Sequence, residues 1–199
     1  MAKIELWDGT RDPKYARQLM PVLGELSTLQ GVRIDRTPGK EDIPRWNYIN
    51  EIANHCFDGG RGQINLSRFL DILPATEVCS EPSSQKLILL EDDLFSPGLN
   101  WCFGVYSPRE EQDLVVLSTY RIQNGHQMQD LLAHELGHMY GAAKSGRRNT
   151  EESLGSHCLT DLCVMQQKLS VPASLRYSQR RHESGASFYC GQCSDEIRR

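Results

Sequence analysis

Several common signatures are missing from this sequence, and each absence narrows the reading. No window approaches the roughly 18 consecutive apolar residues of a membrane-spanning helix, so a membrane partner is not expected. The amino terminus, MAKIELWDGTRDPK, meets charge and turn residues at once. It lacks the apolar run and small-residue cleavage site of a secretory signal, and a cytoplasmic location is the expectation. Neither sign of charge dominates: 22 Lys and Arg stand against 26 Asp and Glu, for a net charge of -4. The basic footprint of a nucleic-acid binder is therefore absent. There is no internal repeat, and 39% apolar with 24% charged residues is the balance of an ordinary globular chain, not a disordered one. A length of 199 residues accommodates one domain with a sizeable core and room for a small appended subdomain.

Cysteine, by contrast, is plentiful: Cys56, Cys79, Cys102, Cys158, Cys163, Cys190 and Cys193. In a reducing compartment these are thiols or thiolates rather than disulfides. Four of them fall in the last quarter of the chain, an asymmetry that points to metal binding there. Cys56, Cys79 and Cys102 have no ligand spacing and read as packing residues.

Apolar periodicity gives a coarse order of elements. KIELWDG reads as a strand, Lys14 to Leu29 as a helix through Leu19, Val22, Leu23 and Leu26, and GVRIDRT as a second strand. The stretch from Pro38 to Asp58 is mixed, with Pro44 and FDGGRG as loop markers. QINLSRFLDIL reads as a helix stopped by Pro74, and KLILLEDDL, NWCFGVYS and DLVVLST read as three strands. Gln127 to Tyr140 is the clearest helix, and AAKSGRRNTEESLGS after it reads as a solvated loop. The order predicts an α/β or α+β domain with the long helix packed on a twisted sheet. It divides into an N-terminal part, 1–141, and a loop-rich, cysteine-bearing C-terminal part, 142–199.

That helix carries the chemistry. In HELGHMYGAAKSG, His134 and His138 are four residues apart and so share a helix face, while Glu135 sits beside the ion they would hold. Zinc there lowers the pKa of water toward ~7, and Glu135 can take its proton during attack on a carbonyl. Gly141, one turn on, can adopt positive φ, end the helix and turn the chain back. In the commonest form of this pattern a third histidine follows the glycine by three residues, yet that position is Lys144. A catalytic zinc usually has three protein ligands. Glu151, Glu152, Asp161, His182 and His157 all compete for the third place, His157 lying 13 residues beyond Lys144. His182 sits in SQRRHESGAS, which reads as a solvated basic loop. Arg176, Arg180 and Arg181 read as a solvated face. His55 and His126 have no partner at ligand spacing.

The residues after His157 decide among these candidates. They run HCLTDLCVM, and CGQC follows later. The joint pattern resembles the archaemetzincin family of the metzincin zinc metalloproteases: H-E-x-x-H-x-x-G-x-x-H-C, four residues, C-x-M, then a distal C-x-x-C. His134, Glu135, His138, Gly141, His157, Cys158, Cys163, Met165, Cys190 and Cys193 match it. Similarity extends upstream through DDLFSPGLNWCFG, VVLSTYRI and RGQINLSRFLDIL, so it spans about Arg61 to Cys193. Two departures stand out: the segment before His157 is 13 residues longer than the pattern, and the span from Met165 to Cys190 is also longer. Loop closure scales with the logarithm of length, so such insertions can leave ligand geometry intact.

The resemblance implies a metzincin-like twisted mixed sheet with an active-site helix and a zinc-stapled C-terminal subdomain. It implies two zinc ions per chain. One, catalytic, would be held by His134, His138 and His157 with Glu135 as general base; the other, structural, would be held by Cys158, Cys163, Cys190 and Cys193. Met165 would lie in the Met-turn, an apolar floor beneath the catalytic metal. NWCFGVYS would be the edge strand that receives an extended peptide. The expected activity is hydrolysis of peptide bonds, the expected partner a peptide or protein substrate. A zinc-containing peptide- or protein-binding module of the same fold, with little turnover, is the alternative.

Overall fold

The computed structural model describes residues 3–12, 14–30, 33–34, 43–80, 85–110 and 112–198. Two compact units divide the chain: Met1–Arg17 with Val32–Arg121, and Gln18–Gly31 with Ile122–Arg199.

The first unit begins with β1 (Lys3–Asp8) and the short α1 (Lys14–Arg17). The break at Gln18 separates α1 from α2 (Leu19–Gln30), which belongs to the second unit, so the expected single helix is two. Of the expected GVRIDRT strand, Arg33–Ile34 (β2) is described and the rest lies outside the described residues. Next come α3 (Ile43–His55), β3 (Phe57–Asp58), β4 (Gln63–Asn65) and α4 (Leu66–Ile72). They are followed by β5 (Gln85–Leu90), β6 (Leu94–Ser96), β7 (Leu99–Cys102), β8 (Gly104–Ser107) and β9 (Leu114–Ser118).

Five strands form one sheet in the order β2-β1-β5-β9-β8, parallel except for β8, which runs antiparallel to β9 along the edge. The central strands β5 and β9 carry unbroken apolar runs, LILL (87–90) and LVVL (114–117), because both faces of a central parallel strand are covered. A second sheet has the order β3-β4-β6-β7. The core of this unit joins Trp7, Ile88, Leu90 and Val116 of the first sheet to Ile49, Ile52 and Ala53 of α3 and Phe69 of α4. Cys56 is inside it, and Cys79 and Cys102 pack against it.

Three differences from the sequence expectations have local causes. Pro44, read as a loop marker, sits in the first turn of α3, where a missing N–H costs nothing. QINLSRFLDIL is not one helix: its first three residues are β4, and Asn65 caps α4 by accepting from the Arg68 N–H at 3.2 Å. NWCFGVYS is not one strand either, since β7 belongs to the second sheet and β8 to the first.

The second unit is built on α5 (Gly125–Met139), capped by Asn124, whose side chain accepts from the Gln127 N–H at 2.8 Å. A two-stranded antiparallel ribbon pairs β10 (Thr150–Glu151) with β11 (His157–Cys158). Two further helices complete the unit, α6 (Val171–Ser184) and α7 (Gly191–Ile197). α5 packs against α2 and α6, and α2 also meets α7.

α6 corrects the reading of SQRRHESGAS as a solvated loop. Ser170 caps its N-terminus and Gly185 its C-terminus. Its buried stripe is polar, Ser174, Ser178 and Arg181, which is why apolar periodicity did not reveal it. Gln127 donates to Ser174 Oγ at 3.2 Å. Asp130 accepts from Ser178 Oγ at 2.8 Å and from Arg181 Nε at 3.2 Å. Arg181, expected on a solvated face, is 1% exposed and also donates to the carbonyls of Leu162 and Ser187. Arg176 and Arg180 are exposed.

Candidate metal centres

α5 ends as its sequence suggests. Tyr140 N–H bonds to Leu136 O, Gly141 takes φ of 76°, and the chain leaves the helix toward the residues that complete the site. The segment 142–156 is not a plain solvated loop: its β10 pairs with β11, Thr150 opposite Cys158 and Glu151 opposite His157. The residues that separate His157 from the helix thus fold back as one strand of a hairpin, and His157 stands on the other.

The hairpin brings His157 to His134 and His138, with one ring nitrogen from each within 4.8 Å of the others. The Nε2 atoms of His134 and His138 are 3.2 Å apart. Zn–N bonds of about 2.0–2.1 Å in tetrahedral geometry set donor separations of about 3.3 Å, so this pair fits zinc. Backbone carbonyls fix the tautomers. His134 Nδ1 lies 2.9 Å from Val164 O and His157 Nδ1 lies 3.2 Å from Gly155 O, so each Nδ1 donates and each Nε2 keeps its lone pair. Burial pushes His134 down to about 4, His138 down to about 2, and His157 below its ordinary value. At neutral pH all three are uncharged, the form a metal requires.

Glu135 follows His134 on α5 and is 8% exposed. Met165 packs against α5 at Gly137. A Cβ on Gly137 would stand 2.3 Å from Met165 Sδ and 2.9 Å from Tyr189 Cε1, so the glycine lets the methionine turn reach the helix. The same turn is tied to the candidate ligands on both sides. Val164 O holds His134, and Met165 O accepts from the Cys158 N–H at 2.9 Å, one residue from His157.

Cys158, Cys163, Cys190 and Cys193 form a second cluster. Cys158 and Cys190 Sγ are 3.8 Å apart, Cys163 and Cys193 Sγ 3.6 Å. A disulfide needs about 2.05 Å, whereas Zn–S bonds of about 2.3 Å in a tetrahedron give edges of about 3.8 Å. The spacing is that of a four-thiolate metal site. Backbone N–H groups of Thr160 and Cys190 point at Cys158 and Cys163 sulfur, at 3.4 and 3.5 Å. The hydrogen bond from Cys163, and then Arg147, pull Cys193 down to about 5; Cys163, holding the shared proton in a buried place, is pushed up.

The other candidates for the third position do not join the histidines. Glu152 accepts from the Gly146 N–H at 3.0 Å, Asp161 pairs with Arg180, and His182 lies against His126 with ring centroids 3.8 Å apart and ring planes tilted by 34°. Sequence reasoning missed the carbonyl supports, which have no side-chain signature, and it missed Arg147.

No protein-family model matches the chain, and no curated protein sequence does. Solved structures do match. Archaemetzincin from Methanopyrus kandleri is 22% identical with a TM-score of 0.65, covering 98% of this chain and 93% of its own. A zinc-dependent peptidase from Methanocorpusculum labreanum is 18% identical with a TM-score of 0.61, covering 98% and 100%. Archaemetzincin from Archaeoglobus fulgidus, solved with malonate, is 18% identical with a TM-score of 0.59, covering 98% and 99%. The class so defined is the mixed α/β fold of zinc-dependent peptidases. Within it, this chain has the archaemetzincin fold, as the resemblance of its motifs implied.

Proposed function

We propose that the protein is a zinc-dependent metallopeptidase. The observation that carries the reading is the convergence of His134, His138 and His157, two of them oriented by backbone carbonyls, on a fold shared with zinc peptidases. The three imidazoles would hold the catalytic zinc, and the four cysteines a second, structural one. Zinc bound at the histidines would supply Lewis acidity and a nucleophilic water near neutral pH.

The chain's own groups do the rest. Glu135 takes the proton of the attacking water and returns it to the leaving amine. Val164 and Gly155 carbonyls hold the His134 and His157 rings against rotation. Met165, fully buried, gives the site an apolar floor that offers no competing charge. β8, at a sheet edge with β9 as its sheet neighbour, is proposed to receive an extended substrate through its backbone groups. Among the described residues no helix is long and apolar enough to cross a membrane.

Glu135→Gln tests the reading. The variant is expected to keep its zinc while losing cleavage across a peptide library that the wild type digests. Equal turnover by wild type and variant would remove Glu135 from the chemistry. Selective peptide retention by the wild type without any cleavage would make the protein a binding module instead.

A further inference from the structure

The segment 142–156 has a second anchor besides the β10–β11 ribbon. Arg147 turns inward, with its side chain 8% exposed. Its guanidinium is a fork: Nη2 donates to Cys193 Sγ at 3.3 Å and Nη1 to Glu196 Oε2 at 2.8 Å. Glu196, itself buried on α7, also faces the Lys144 N–H at 3.5 Å. From Arg147 the order passes along the backbone. Its carbonyl accepts from Thr150 Oγ1 at 2.9 Å, Thr150 opens β10, and β10 pairs with His157 and Cys158. Asn149 closes the same hairpin, its carbonyl accepting from the Leu159 N–H at 3.0 Å and its side chain donating to Thr160 Oγ1 at 2.6 Å.

Four thiolates around a divalent ion leave a surplus of two negative charges, and Glu196 adds a third nearby. A planar guanidinium can offset part of that surplus while bridging sulfur and carboxylate, which a lysine ammonium does less well. The inward pose also has a cost that needs such a partner, because an arginine withdrawn from water must be paired.

We propose that Arg147 is a positioning residue that couples metal occupancy of the four-cysteine cluster to the folding of segment 142–156, and so to the placement of His157. With the metal held, the thiolate of Cys193 gives Arg147 a fixed charge to bind, and the hairpin is clamped at both ends. With the cluster empty, the clamp rests on Glu196 alone and the segment opens. The proposal rests on the assignment of a structural metal to the cysteines.

The test compares wild type, Arg147→Met and Arg147→Lys, all purified with their metal. Two signals are read: iodoacetamide alkylation of Cys158, Cys163, Cys190 and Cys193, resolved residue by residue by mass spectrometry, and cutting at Glu151 or Glu152 by a glutamate-specific protease. Removing a charged partner outside the ligand shell typically weakens metal retention 10–100-fold, so Arg147→Met is expected to alkylate about tenfold faster. It is also expected to be cut in the segment under conditions that leave wild type whole, with Arg147→Lys in between. Arg147→Met behaving as wild type in both signals overturns the proposal, and faster alkylation without cutting overturns the coupling. Should Arg147→Met not fold, Arg147→Lys decides, and wild-type values in both signals overturn it. Free alkylation of all four cysteines in wild type would overturn the structural-metal assignment and this proposal together, which separates that failure from the first.

Discussion

Gly137→Ala sets two effects of opposite sign against each other at the centre of the site. In a helix interior, alanine is favoured over glycine by about 1 kcal/mol, so propensity alone predicts a more stable protein. The new Cβ, however, would lie 2.3 Å from Met165 Sδ and 2.9 Å from Tyr189 Cε1. Neither neighbour yields easily. Met165 is fully buried, and Tyr189 is pinned by its hydroxyl, which donates to Ala133 O at 2.7 Å. Overpacking of a closed core costs about 1–3 kcal/mol, and this contact belongs at the upper end. The net expectation is a loss of about 1–2 kcal/mol, or a fall in Tm of roughly 3–6 °C for a chain of this size. Moving Met165 also pulls on Val164 O and the Cys158 N–H, so peptidase activity is expected to fall further than stability does. Thermal unfolding of the zinc-loaded protein, read with peptide cleavage, checks both parts. A double-mutant cycle with Met165→Ala isolates the contact: the two substitutions together are expected to cost at least about 1 kcal/mol less than their sum. An unchanged or raised Tm for Gly137→Ala would refute the steric argument.

Other predictions concern the supports of the site. Asp130→Ala leaves Arg181, which is 1% exposed, held by the Leu162 and Ser187 carbonyls without the Asp130 carboxylate, and loss of one partner of a buried pair costs about 3–5 kcal/mol; urea unfolding measures it, and a loss below 1 kcal/mol would contradict the pairing. Glu152→Ala removes a loop acceptor, not a ligand, so zinc content is expected to stay at the wild-type value by metal analysis. Replacing Asn124 by Ala removes the cap of α5 and is expected to lower stability by about 1 kcal/mol with the zinc stoichiometry unchanged.

How much of this was legible in the sequence depends on the kind of signal. The His134–Glu135–His138 spacing, the turn at Gly141 and the C-x-x-C at Cys190 are local patterns, and such patterns survive without a structure. Strands β5 and β9 were legible because burial on both faces leaves an unbroken apolar run. α6 was not, since its inward face is serine and arginine satisfied by Gln127 and Asp130, and only the Ser170 and Gly185 caps could have revealed it. The polar segment 142–156 looked like solvent-exposed chain because its order comes from one buried guanidinium and a two-residue strand pairing, neither of which has periodicity. The split of NWCFGVYS into β7 and β8 is set by which sheet each half joins, a tertiary choice.

The proposed arrangement is two metal centres with separate ligand sets, three histidines and four cysteines. Zinc analysis of wild type and His157→Ala, each purified without chelator and with cysteine alkylation read in parallel, tests it most directly. Two zinc ions are expected per wild-type chain. His157→Ala is expected to lose one of them while all four cysteines of the cluster stay protected. Undiminished zinc in His157→Ala, or a wild-type chain whose four cysteines alkylate freely, would contradict it.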